Sequence, residues 1–148
     1  MPLVAKTMET ALLPMFKAMP VDQKIAGLMF ATAYVAYASI SAPNAPSQLN
    51  ALADDAAKAF DPGAPVGAAK LMLAFVKFWA PMICIPVNQL AIAPAIFTPI
   101  GDTSLILHVD DATPEQQAQA LANALHTLTL ASVKVTLGPP TGGTVPIT

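Results

Sequence analysis

Fifteen prolines decide what this chain can build. Proline has no N–H to give and its ring clashes with the preceding helical turn, so it starts helices and otherwise ends or kinks them. Between prolines, most stretches show helical spacing. In residues 3–19, Leu12, Met15, Phe16 and Met19 recur at steps of three and four, with Pro14 as a kink. Val21-Asp-Gln-Lys24 opens a second helix to about Ser41, its Asp22 suited to the positive end of the helix dipole. Ser47 is a good N-cap for a third, in which Leu49, Leu52, Ala53, Ala56 and Phe60 face inward and Asp54, Asp55 and Lys58 outward. A fourth covers residues 66–80, anchored by Phe75 and Trp79, with Lys70 and Lys77 on its outer side.

The later part is less periodic. Residues 81–101 carry four prolines and predict two short helical turns joined by extended chain. Residues 104–109 have strand-like content. Thr113-Pro-Glu-Gln116 then supplies a capping threonine, proline at the first helical position and glutamine at the capping-box position. That helix runs to about Ala131 and buries Ala118, Leu121, Leu125 and Leu128. Lys134-Val-Thr-Leu137 predicts a strand, and residues 138–148 an extended tail. The expected fold is mainly α: a helical domain of about five helices over residues 1–137, with one or two short strands near its C-terminal end, then the tail.

The surface is the difficulty for such a fold. Charged residues are 11% of the chain and apolar residues 55%, against about 25% and roughly 45–50% in an ordinary soluble domain. Part of the exterior is therefore expected to be covered by a partner. The second helix has Ala, Gly, Met, Phe and Tyr on every side, which predicts burial all round. Lipid is the alternative cover, with residues 25–40 and 78–101 in the bilayer. The first is shorter than the roughly 20 residues of a spanning helix, and the second is broken by prolines and by Asn88-Gln89. The N-terminal stretch has glutamate early and lysines on both sides, so no export signal is expected. Nucleic acid is not an expected partner, because the chain has no arginine and a net charge of −2.

No pattern of side chains carries a recognised chemistry. His108, His126 and Cys84 lack metal-ligand spacing, and Cys84 sits in an apolar run that reads as packing. The pairs Asp54-Asp55 and Asp110-Asp111 come without the further oxygen ligands of a calcium loop. There is no GxSxG, and Gly142-Gly143 precedes no helix that could hold phosphate. Catalytic residues, cofactor and metal are all expected to be absent. A small enzyme or carrier with a ligand in an apolar pocket near Trp79 is a third, lesser reading.

The helix Pro114-Glu-Gln-Gln-Ala-Gln-Ala-Leu-Ala-Asn-Ala-Leu125, the strand Ser132-Val-Lys-Val-Thr136 and the Gly/Thr/Pro tail 138–148 together resemble the end of small structural proteins of tailed bacteriophages. The resemblance covers about the last quarter of the chain. It implies a non-enzymatic virion component, in the tail, baseplate or neck, whose partners are other structural subunits and copies of itself. The interface candidates are Phe75, Trp79, Leu121 and Leu125, in the core or a contact, and Val145 and Ile147, along a neighbouring chain. Disordered tails usually carry charge, and this one has none.

Overall fold

The computed structural model describes residues 3–18, 22–60, 67–82, 96–97, 113–136 and 144–147. The helices are α1 (Ala5–Ala18), α2 (Gln23–Ala38), α3 (Leu49–Ala59), α4 (Gly67–Trp79) and α5 (Pro114–Ser132), with a 3-10 turn at Ala45–Gln48. Three short strands, β1 (Ile96–Phe97), β2 (Val133–Thr136) and β3 (Thr144–Pro146), form an antiparallel sheet in the order β1-β2-β3. The mainly helical expectation holds. Neighbouring helices touch in the series α5, α1, α2, α3, α4, and the sheet packs on α4 and α5. Residues 104–109, and with them His108, Asp110 and Asp111, lie outside the described residues, as does Cys84.

Local sequence explains the helix ends. Thr113 and Gln116 form the expected capping box, the threonine hydroxyl accepting from the Gln116 N–H and the glutamine side chain from the Thr113 N–H. Asp22 does more than face the dipole: it is the N-cap itself, its carboxylate accepting from Lys24 N–H at 2.7 Å. The expectation for Ser47 fails. The Asn44-Ala-Pro46 turn carries the chain into the 3-10 turn, so Ser47 already has helical surroundings and its hydroxyl donates back to the Asn44 carbonyl. Gln48 takes the cap position of α3 with no side-chain bond.

Ordinary spacing places the core. Met8, Leu12 and Met15 of α1, Leu52 and Ala56 of α3, and Ala118, Leu121 and Leu125 of α5 are buried. The close approach of α2 and α3 rests on Gly27, where a Cβ would stand 2.6 Å from the Ala53 carbonyl oxygen and 2.7 Å from the Ala57 nitrogen.

The C-terminal residues return to their own chain. α5 passes into β2 with no loop, through Val133, which is extended and buried. β3 pairs with β2 in the register Val135 to Val145 and Lys134 to Pro146, and Ile147 N–H donates to the Val133 carbonyl. Alternation along β3 turns the Pro146 nitrogen away from β2, so the ladder loses no donor there.

Candidate functional site

The most polar place in the core joins three helices. Tyr34 of α2 accepts a hydrogen bond from Trp79 Nε1 at 3.1 Å, and its hydroxyl pairs with Thr129 Oγ1 of α5 at 2.8 Å. One turn on, the Tyr37 hydroxyl pairs with His126 Nδ1 at 2.7 Å. Rings fill the space around them: Phe75 stacks on Tyr34 at 4.5 Å between centroids, and Phe78 meets it edge-on at 5.4 Å. Trp79, Tyr34 and Tyr37 are fully buried. The polar atoms of the cluster serve each other and fix how α2, α4 and α5 pack.

Burial raises the pKa of both tyrosines above the ordinary value of 10.0, with neighbouring Tyr34 a second cause for Tyr37 and hydrogen bonds opposing the rise. The unfolded chain ionises its tyrosines near pH 10, whereas the fold holds these two neutral. The stabilisation they give is complete below pH 10 and falls as the pH rises above it. Tyr34→Phe leaves Trp79 Nε1 buried without its acceptor and takes from Thr129 Oγ1 one of its two tyrosine partners. It is expected to cost about 1–3 kcal/mol at neutral pH and to make the alkaline fall shallower. Urea unfolding from pH 7 to 11 checks both, and an unchanged alkaline slope would sink the assignment.

Five of the six sequence-derived interface residues lie inside the molecule. Phe75, Trp79, Leu121 and Leu125 are core residues of this chain. Ile147, expected against a neighbour, is 4% exposed and belongs to the chain's own core, because β3 carries it back onto Val133. Val145 pairs with Val135.

Part of the outward apolar surface comes from α2, which the sequence reading buried on every side. α2 is not buried all round: Ile25 is 53% and Leu28 48% exposed. Thr32 and Ala36 continue the same stripe at steps of four. Thr32 adds little polarity to it, since its hydroxyl donates to the Leu28 carbonyl of its own helix. On α4, Leu73 (63%) and Val76 (37%) also face outward. The signal in the sequence was the absence of any polar face on α2, which shows that one side lacks charge but not which side lacks a neighbour.

A separate groove of about 570 Å³ crosses α2, α3 and α4 and is lined largely by lysine and aspartate side chains. Trp79 does not line it. Among the described residues, no three His, Cys, Asp or Glu side chains gather as metal ligands would, and no helix is long and apolar enough to cross a membrane. No protein-family model, curated protein or solved structure matches the chain.

Proposed function

We propose that the protein is a non-enzymatic structural subunit of a multi-chain assembly, and that the assembly is a tailed-phage virion, with this subunit in the tail, baseplate or neck. The observation that carries the assembly reading is the uncovered stripe Ile25, Leu28, Thr32 and Ala36 on α2. Two large aliphatic side chains one turn apart, each about half exposed, cost free energy in water that a neighbouring subunit would recover. The virion part rests on the C-terminal resemblance alone. Its neighbours would be other structural subunits, copies of itself included.

In the lipid alternative, residues 25–40 and 78–101 lie in the bilayer. The first of these forms α2 and the turn after it. At about 1.5 Å per residue its 16-residue helix is about 24 Å long, short of the roughly 30 Å hydrocarbon core. It also spends Phe30, Tyr34 and Tyr37 on this chain's own core.

Light scattering across a concentration series tests the proposal without detergent. The wild type is expected to associate reversibly, and Ile25→Lys/Leu28→Lys to remain monomeric with little change in melting temperature, since both side chains are exposed. A wild type monomeric at every concentration, or association unaffected by the double substitution, would overturn the stripe as the contact. Recovery only from the membrane fraction would favour lipid.

A further inference from the structure

The groove over α3 carries more lysines than aspartates in a chain that is acidic overall. Among the described residues, Lys24 of α2, Lys58 of α3 and Lys70 and Lys77 of α4 line it, against two carboxylates, Asp54 and Asp55. Asp55 is already engaged, its carboxylate 3.9 Å from Lys77 Nζ. Among the described residues, Lys24, Lys58 and Lys70 make no ion pair. The outward lysines of three helices thus converge on one concavity, where they outnumber the aspartates four to two, and their summed field favours an anionic occupant.

The rest of the lining selects among anions. Ala57 and the 63% exposed Leu73 put apolar surface between the lysines. A free phosphate has no group to set against that surface, whereas a peptide segment has both carboxylates and aliphatic side chains. Polynucleotide recognition would draw on guanidinium groups, which this chain lacks entirely. A trough with helices on either side and a third beneath suits the docking of an amphipathic segment with its apolar face inward.

We infer that this groove is a docking site for an acidic amphipathic segment of a partner protein, held by carboxylates on Lys24, Lys58 and Lys70 and by aliphatic contact with Leu73. In taking a partner chain as occupant, this rests on the assembly reading, but it concerns a different surface from the α2 stripe. The two fail separately: light scattering judges the stripe, and peptide titration of the monomeric Ile25→Lys/Leu28→Lys protein judges the groove.

The titration uses a synthetic amphipathic helix with leucine on one face and glutamate on the other, followed by amide chemical shifts. Saturable shifts in α3 and α4 are expected. Affinity should weaken about tenfold or more in Lys58→Glu/Lys70→Glu and fall with added salt. Both lysines are exposed, so the variant should keep the wild-type circular dichroism spectrum. Equal binding of a lysine-faced peptide, equal binding by the charge-reversed variant, or no saturable shift would overturn the inference. So would inorganic tripolyphosphate binding as tightly as the glutamate peptide, which would make this a simple anion site. Concentration-dependent shifts at the same amides without peptide would assign the groove to a second copy and overturn it as well.

Discussion

Gly27→Val is expected to destabilise the fold by about 3 kcal/mol or more, the upper part of the range for overpacking a closed contact. Valine would ordinarily be the better helix residue, gaining a few tenths of a kcal/mol over glycine at an exposed position. Here that gain is overwhelmed. A Cβ at this position would lie 2.6 Å from the Ala53 carbonyl oxygen, 2.7 Å from the Ala57 nitrogen and 2.9 Å from the Ala57 Cβ. Two of these are backbone atoms of α3 and cannot rotate aside, so the helices must separate. The α2–α3 contact is the most extensive helix pair in the fold, and the groove over α3 depends on it. Gly27→Ala carries the same Cβ without the two methyl groups and should lose less, about 1–2 kcal/mol. Chemical denaturation of both variants measures the series. Gly27→Ala as stable as the wild type would mean that α2 and α3 stand further apart than described.

Much of the fold was legible because its signals are local. The capping box Thr113–Gln116 needs only four adjacent residues, and the outward placement of Asp54, Lys58, Lys70 and Lys77 follows from helical period. Ser47 misled because a serine before a helix reads as a cap, and only the path of the chain through Pro46 makes it part of a 3-10 turn. Ile147 misled for a different reason. Its apolar side chain calls for cover, but the sequence does not say whether the covering surface is a neighbour or its own chain. The aromatic network was beyond reach, since Tyr34 and Thr129 are 95 positions apart. The stripe on α2 shows the limit most directly. An all-apolar helix states that it needs covering everywhere, while the number of helices available to cover it is a property of the whole chain.

Trp79→Ala is expected to cost about 3–5 kcal/mol, lowering the melting temperature by roughly 10 °C or more. Trp79 is fully buried at the end of α4, edge-on to both Phe78 and Tyr34. Truncation leaves a cavity lined by rigid rings that cannot collapse into it, and it removes the donor that Tyr34 accepts from. Trp79→Phe separates the two losses, keeping most of the packing while deleting the N–H. It should cost distinctly less, because the Tyr34 hydroxyl retains Thr129. The double variant Tyr34→Phe/Trp79→Phe completes a cycle. If the indole N–H and the tyrosine hydroxyl act on each other, the double variant will lose less than the sum of the single losses, since once one group is gone the other has already lost that bond. Additive losses would show that the 3.1 Å contact contributes nothing of its own and that the rings alone hold α4 against α2.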